Sequence, residues 1–270
     1  LLLAVPLFLY GSYIYFRIKK FIRSYKPRIM NLILDFMQEP IYYSDLHYEA
    51  AKSIPKDVFF SSRLFDTKAP VYRGEDYIKG KIGELEFELS ELFVEEDKPL
   101  ATGMRRVFKG VFVHGRLNFD LDGAVLVWPR NFKQLNVKAI KAATLHGAFN
   151  QDYEILTESF KEAFTTYATE NTHVAELLPE NLQRAMVHYL ATLKKKDELY
   201  QFHTKPQKPS QPRAIFLSIL SNHIFLAISE ERDLLEPYIL RSNLSFDLIR
   251  DYYEQIDLVF QIIEDMDRTY

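Results

Sequence analysis

The amino-terminal run Leu1–Phe16 (LLLAVPLFLYGSYIYF) carries no charged side chain and constrains the chain more than any other segment. Its sixteen residues approach the ~20 apolar residues that a membrane-spanning helix needs. We therefore expect a transmembrane segment at residues 1–16 that is cut short at Leu1, with Tyr10, Tyr13 and Tyr15 near the aqueous interface. The alternative is a helix buried in the core of a soluble domain.

Six cations follow this run and no acid accompanies them: Arg17, Lys19, Lys20, Arg23, Lys26 and Arg28. The positive-inside rule puts this end of the helix in the cytoplasm, which predicts that the rest of the chain lies on the cytoplasmic side of the membrane. We expect the six cations at the membrane surface, where each adds about 1 kcal/mol to the attraction for anionic headgroups. The alternative is that they only set the orientation of the helix.

Beyond the apolar run the chain divides into three parts. Residues 17–40 are typical of a basic juxtamembrane helix that ends before Pro40. Residues 41–74 are interrupted by prolines and predict a connecting segment. Residues 75–270 predict a cytoplasmic α+β domain. Its antiparallel sheet packs against helices, and the pattern is compatible with a strongly bent sheet. The last element is a long helix.

Alternating apolar residues predict the strands of this domain. In Gly83–Val94 (GELEFELSELFV) apolar residues alternate with glutamates as far as Ser90, where a change of phase predicts a bulge. Helices are predicted to begin near Pro179 and near Ser245. In the second of these, Tyr252, Ile256 and Phe260 recur at helical spacing. Further strands are predicted at residues 107–117, 124–128, 143–156, 163–168 and, as a hairpin, 215–220 and 224–228.

Composition and motifs exclude several classes of function. The chain has no cysteine, so disulfides, thiol nucleophiles and iron–sulfur clusters are ruled out. Removing the six charges of residues 17–28 from the net charge of −3 leaves −9 for the remainder, and an acidic body binds nucleic acid poorly. The seven histidines lack metal-binding spacing, although His114 and His146 on predicted strands could meet in space. No nucleophile elbow, Walker A loop or dinucleotide-binding glycine motif occurs, so no catalytic residue, metal ligand or cofactor is predicted.

One acidic surface is the weak candidate for a functional site. Glu84, Glu86 and Glu88 share one face of the predicted strand, and Asp76 and Glu91 lie nearby in sequence. Paired carboxylates serve acid–base catalysis or bind a divalent cation. A solvated face, or a face that docks a partner, is the more common role of such a pattern.

Several short motifs occur in a characteristic order: Tyr72–Tyr77 (YRGEDY), Gly80, Leu89–Leu92 (LSEL), Val107–Phe112 (VFKGVF), Glu158–Tyr167 (ESFKEAFTTY) and Leu177–Pro179 (LLP). This order resembles an uncharacterised bacterial membrane-protein family, the domain of unknown function numbered thirty-one thirty-seven. The resemblance covers roughly residues 25–268 and departs from the family at Leu178, where members often carry a capping threonine. It implies a bacterial inner membrane, a hydrophobic hairpin before a cytoplasmic domain and a LemA-like membrane protein as a partner, but no activity.

The sequence therefore favours a non-catalytic module that is tethered at the inner membrane and binds a protein or lipid partner there. One alternative is a membrane-associated enzyme of unrecognised class, whose carboxylates and histidines are brought together only by folding. Another is an accessory subunit of a transporter or envelope complex. The oligomeric state does not follow from the sequence.

Overall fold

The computed structural model describes residues 4–38, 42–98, 102–120, 122–130, 147–150, 155–170, 172–203, 213–230 and 246–270. Its helices are α1 (Ala4–Met37), α2 (Lys56–Ser61), α3 (Glu158–Ala163), α4 (Val174–Leu177), α5 (Glu180–His203) and α6 (Phe246–Asp267). Its strands are β1 (Tyr43–Glu49), β2 (Val71–Ile82), β3 (Leu85–Asp97), β4 (Met104–Arg116), β5 (Ala124–Pro129), β6 (Ala148–Asn150), β7 (Phe164–Thr169), β8 (Ile215–Leu220) and β9 (His223–Ser229).

All nine described strands form one antiparallel sheet in the order β1-β2-β3-β4-β9-β8-β5-β7-β6. The hairpin of β8 and β9 lies between β4 and β5, so it joins two parts of the sheet that are consecutive in sequence. The expected α+β architecture with an antiparallel sheet is therefore correct. The predicted start of the last helix at Ser245 lies outside the described residues.

The sheet is buried on both faces. One face packs against the second half of α1 and against α3, α5 and α6, and this first core includes Met30, Met186 and Phe260. The other face is covered by residues 54–69, and this second core includes Phe59 and Trp128, whose indole N–H donates to the carbonyl of Leu64 at 3.0 Å. Residues of the expected connecting segment 41–74 thus supply a strand of the sheet and the cover of its second face.

The bulge expected after Ser90 is in the neighbouring strand instead. Strand β3 pairs with β4 without interruption around Ser90, whereas the register between β2 and β3 shifts between Glu75 and Ile78. The change of phase in the sequence has a simpler cause: Leu85, Phe87 and Leu89 point into the first core, and the apolar residues after Ser90 point into the second. From Leu89 to Leu92 the residues on both faces of β3 are buried, so the alternation of buried and exposed residues ends there.

The prediction of a transmembrane helix at residues 1–16 is wrong. Among the described residues, none of the helices combines the length and the apolarity that crossing a bilayer requires. The uncharged part of α1 from Ala4 to Phe16 is about 20 Å long at 1.5 Å per residue, against a hydrocarbon core of about 30 Å. Arg17, Lys19 and Lys20 follow it within the same helix.

A buried ion pair fixes the second half of α1 to the sheet. The Lys26 ammonium donates to the Asp76 carboxylate at 2.9 Å, and their side chains are only 4% and 3% exposed. Asp76 lies in the irregular part of β2 with a left-handed φ of 57°, and it also accepts a hydrogen bond from the Tyr48 hydroxyl. Met30 and Leu34 continue the contact on the next turns of the helix.

The carboxyl end of α6 is fixed to the β2–β3 turn by one carboxylate. Asp267 Oδ1 accepts the backbone N–H groups of Glu84 and Leu85 at 2.8 and 2.9 Å, and Oδ2 accepts the Tyr42 hydroxyl at 2.6 Å. Gly83 adopts a left-handed φ of 58°, and a Cβ built there would lie 2.0 Å from Asp267 Oδ2. The turn therefore needs glycine both for its conformation and for its approach to the carboxylate.

Replacing Asp267 by Ala should lower the free energy of unfolding by about 2–3 kcal/mol, because hydrogen bonds to a charged acceptor are lost. Asp267→Asn should lose less, since its side-chain oxygen can still accept from the turn. Glu254→Ala on the same helix removes a half-exposed carboxylate that pairs with Arg250 at 3.8 Å, and it should cost at most about 0.5 kcal/mol. Urea unfolding measures all three, and equal losses for Asp267→Ala and Glu254→Ala would contradict the assignment.

The pair of Lys26 and Asp76 should behave as a coupled unit. Lys26→Met should cost about 3–5 kcal/mol, because it leaves the buried Asp76 carboxylate without its cation. Asp76→Asn should cost less, since Lys26 keeps its ion pair with the half-exposed Glu75 at 3.6 Å. The double variant should be clearly more stable than the sum of the two losses predicts. Unfolding by urea at pH 7 tests this, and strictly additive losses would show that the two side chains do not interact.

Candidate functional site

Helix α1 is buried on one side of its second half and exposed to solvent along its first half. Met30, Ile33, Leu34 and Met37 point into the first core. Before Phe21 most described side chains are exposed, among them Leu7, Phe8 and Phe16 at 71%, 74% and 68%. The exposed apolar residues of α1 surround its first half and continue on one side of its second half, and together they are called its outer face here: Val5, Leu7, Phe8, Leu9, Tyr10, Tyr13, Ile14, Tyr15, Phe16, Phe21, Leu32 and Phe36.

Four of the six predicted membrane-surface cations lie beside this outer face. Arg17, Lys19, Lys20 and Arg28 are exposed. Lys26 is buried in its pair with Asp76, so its charge faces the sheet. The side chain of the sixth cation, Arg23, lies outside the described residues.

Aromatic rings accompany the first of these cations. The Lys19 ammonium lies 4.8 Å from the centre of the Tyr15 ring, and the Arg17 guanidinium lies 6.0 Å from that of Tyr13. Contacts of this kind hold a cation over an aromatic face. The order along the helix is therefore an apolar end, then tyrosines, then cations.

The structure separates the five acidic candidates onto two faces of the sheet. Asp76 and Glu91 lie on the side of the first core, both buried, and line a cavity of about 70 Å³. Its other polar lining includes the buried ion pair of Arg213 with Glu230, and most of its wall is aliphatic. Burial raises the pKa of the Asp76 carboxyl to about 6, although the charge of Lys26 and the hydrogen bonds that Asp76 accepts act against this.

Glu84, Glu86 and Glu88 have separate environments. Glu84 belongs to the β2–β3 turn and is exposed. Glu86 is also exposed and pairs with Lys81 at 2.9 Å. Glu88 is only 23% exposed, and of the three it alone enters a larger network.

Glu88 connects three strands through hydrogen bonds. It accepts from the Tyr77 hydroxyl at 2.7 Å, and its Oε1 lies 2.9 Å from His114 Nδ1. On the far side of that ring, His114 Nε2 lies 2.9 Å from Nδ1 of His223. The sequence had suggested His146 as the partner of His114, but residue 146 lies outside the described residues. Nothing in the sequence pairs His114 with His223, because the neighbourhood of β4 and β9 arises only in the folded sheet.

The network shifts the pKa values of two of its members. Burial alone would raise the pKa of Glu88, but the hydrogen bonds from His114 and Tyr77 outweigh it and hold that pKa below its ordinary value. Burial lowers the pKa of His223, and the charges of His114 and Arg116 lower it further. Glu88 is therefore an anion and His223 a neutral ring at physiological pH.

A groove of about 380 Å³ lies beside this network. Its lining mixes both signs of charge, with no dominant one: Asp45, Tyr77, Lys79, Gly80, Lys81, Glu86, Phe87, Glu88, His114 and Arg116. Within the part of the chain that the structure describes, no three His, Asp or Glu side chains are grouped so that they could jointly hold a metal ion. The five candidate acids therefore do not form one site. Asp76 and Glu91 line the buried cavity, Glu84 and Glu86 are exposed, and Glu88 belongs to the hydrogen-bonded network.

The family model described as "Protein of unknown function (DUF3137)" matches residues 106–268. The chain belongs to this family. Its hydrophobic hairpin and a LemA-like partner remain expectations. No curated protein matches the sequence.

One solved structure is similar to the chain at low level. It is the crystal structure of the mycobacterial trehalose monomycolate transport factor A, TtfA, with 10% sequence identity and a TM-score of 0.35. The match covers 83% of this chain and 86% of that one. A likeness this weak supports no statement about fold or function.

The lowered pKa of His223 predicts a pH-dependent stability. Because the folded state favours the neutral ring, His223 contributes stability above the ordinary histidine pKa of 6.5, and this contribution is lost as the pH falls below that value. Between pH 8 and 5, the free energy of unfolding of the wild type should fall more than that of His223→Gln. His188→Gln, at an exposed position on α5, should follow the wild type. Parallel curves for the wild type and His223→Gln in urea unfolding would contradict the assignment.

Proposed function

We propose that the protein docks on the surface of an anionic membrane through the outer face of α1 and holds its α+β domain there. The observation that carries this proposal is the exposure of large apolar side chains along α1 next to exposed cations. The corresponding location is the cytoplasmic side of a bacterial inner membrane. A LemA-like partner is a separate proposal that rests on the family resemblance alone.

The apolar side chains supply an energetic reason for docking. A contiguous exposed patch of this kind marks an interaction site far more often than a free surface. Transferring a side chain such as Leu7, Phe8 or Phe16 out of water is worth about 1.5–3 kcal/mol when burial is complete. Tyrosines suit the interfacial layer, where one end of the ring is apolar and the hydroxyl is wet.

The charges favour a lipid surface over an apolar protein groove as the occupant. The chain has no acid between Ala4 and Leu34, and its first described acid on α1 is Asp35. Arg17, Lys19 and Lys20 each contribute about 1 kcal/mol near an anionic surface. An interfacial helix typically combines lysine and arginine with phenylalanine and leucine in this way.

Helix α1 is firmly attached to the sheet, so docking of α1 would also hold the rest of the domain at the membrane. Its second half is buried, and the pair of Lys26 with Asp76 fixes the rotation of the helix about its own axis relative to the sheet. A membrane-bound α1 would therefore keep the whole domain attached at the lipid surface.

Sedimentation with vesicles tests the proposal. The protein should bind vesicles that contain phosphatidylglycerol more tightly than phosphatidylcholine vesicles, and salt should weaken binding. Replacing Arg17, Lys19 and Lys20 together by Gln should weaken binding to the anionic vesicles by about 100-fold, since about 3 kcal/mol is lost. The matched control replaces Arg184, Lys194 and Lys195, three exposed cations of α5, and should bind like the wild type.

The apolar contribution needs its own pair of variants. Phe8→Asp with Phe16→Asp should abolish binding, whereas Phe119→Asp, at an exposed apolar position away from α1, should leave it intact. Equal binding to neutral and anionic vesicles, or no effect of either α1 variant, would overturn the proposal. Self-association without vesicles that the Phe8 and Phe16 changes abolish would assign the outer face to a second copy of the chain instead.

A further inference from the structure

The histidines of β4 and β9 form a pair whose ring nitrogens converge. In the register of these strands, Arg116 lies opposite His223 and His114 opposite Phe225, so His114 and His223 are diagonal neighbours on one face. Their Nε2 and Nδ1 atoms are 2.9 Å apart. The His114 ring also stacks on Phe225, with ring centres 4.8 Å apart, which limits its motion.

Glu88 orients the first ring. Because its carboxylate is an anion, His114 Nδ1 carries the hydrogen and donates to Glu88 Oε1 at 2.9 Å. In the neutral ring this leaves the lone pair of His114 on Nε2, which points at His223. A carboxylate that holds the outer N–H of a histidine is the usual support of a metal-binding imidazole. Tyr77 in turn holds Glu88.

We propose that His114 and His223 form a two-histidine site for a divalent transition-metal ion such as Zn²⁺, Ni²⁺ or Cu²⁺. His114 Nε2 and His223 Nδ1 are the two protein ligands, and water completes the coordination. Glu88 is a positioning residue that does not touch the metal. The inference stands on the strand geometry and is independent of the membrane proposal.

The distance between the two nitrogens fits this role. For metal–nitrogen bonds of about 2.0–2.1 Å and ligand angles of about 90–110°, two neighbouring imidazole nitrogens lie about 2.9–3.4 Å apart. The observed 2.9 Å falls at the short end of that range. In the metal-free pair His223 Nδ1 donates its hydrogen to His114 Nε2. Metal binding therefore requires that His223 carry its hydrogen on Nε2 instead and that both rings tilt until their lone pairs converge on one point.

The ligand chemistry selects the class of metal. Neutral imidazole nitrogens suit Zn²⁺, Ni²⁺ and Cu²⁺, whereas Mg²⁺ and Ca²⁺ prefer oxygen ligands. The charges around the pair partly cancel, since Arg116 disfavours a further cation while Glu88 and Asp120 favour it. His114 retains 15% exposure and borders the groove of about 380 Å³, which leaves room for water ligands.

A zinc titration of the full chain, without a histidine tag and after treatment with a chelator, tests the site. Calorimetry should show one equivalent of Zn²⁺ bound, and imidazole ¹⁵N spectra should show shifts at His114 and His223. His114→Gln or His223→Gln should each weaken binding by more than the ~10–100-fold that loss of an outer-shell partner costs. Glu88→Gln keeps both ligands and should weaken binding within that range. Circular dichroism shows whether each variant retains its fold.

His188→Gln is the matched control and should bind Zn²⁺ like the wild type. Binding that survives the loss of His223, or shifts that appear at His47 or His188 instead of at the pair, would overturn the proposal. So would competition by Mg²⁺ as effective as that by Ni²⁺. If Glu88→Gln binds Zn²⁺ as tightly as the wild type, the role assigned to Glu88 is wrong, and His114 and His223 bind the metal without its support.

Discussion

The buried pair of Lys26 and Asp76 joins the three parts of the molecule on which its proposed function depends. Lys26 belongs to α1, Asp76 to the irregular stretch of β2, and the Tyr48 hydroxyl that supports Asp76 belongs to β1. A left-handed residue in a strand interior is unusual, and here it directs the carboxylate to the helix side of the sheet. Isolated charges at this depth would be strongly disfavoured, and Lys26 is paired both with Asp76 and, at 3.6 Å, with the half-exposed Glu75.

Burial of the sheet on both faces explains the location of the open site. Residues 54–69 cover one part of the second face, where Ser90 accepts the backbone N–H of Ile54 at 3.0 Å. Glu88, two residues earlier on the same face, is partly exposed and is held by side chains of the neighbouring strands. The groove and the histidine pair therefore lie where the second core ends. The proposed membrane-docking face lies on a different element, so the two sites can be tested separately.

Local sequence patterns predicted the helices and strands well, but they did not predict how these elements pack against one another. The alternation of Leu85, Phe87 and Leu89 was enough to predict a strand, and the spacing of Tyr252, Ile256 and Phe260 a helix, because each pattern reflects burial on one face. The same alternation misled at Ser90, since a second buried face looks like a change of phase. The apolar run of α1 misled as well, because its sixteen uncharged residues fall short of the ~20 that a span needs and Arg17, Lys19 and Lys20 follow in the same helix.

The long-range contacts of the candidate sites had no signal in the sequence. Lys26 and Asp76 are 50 positions apart, and His114 and His223 are 109 apart. Glu91 was grouped with Glu84, Glu86 and Glu88, although odd and even positions of a strand face opposite sides. Period-two geometry could have separated Glu91 from the others, whereas the pairing of β4 with β9 required the folded sheet.

The central claim is that the outer face of α1 contacts lipid, and the absence of cysteine from the chain allows a direct measurement. Single cysteines at Leu7, Ile14 and Leu32, which lie on one side of α1, and at Phe119 can each carry a nitroxide label, whose access to oxygen and to a water-soluble relaxant is read by electron paramagnetic resonance. On adding anionic vesicles, labels at the three α1 positions should gain access to oxygen and lose access to the aqueous relaxant, while the label at Phe119 should not change. Unchanged aqueous access at all four positions, or an equal change at Phe119, would contradict the account.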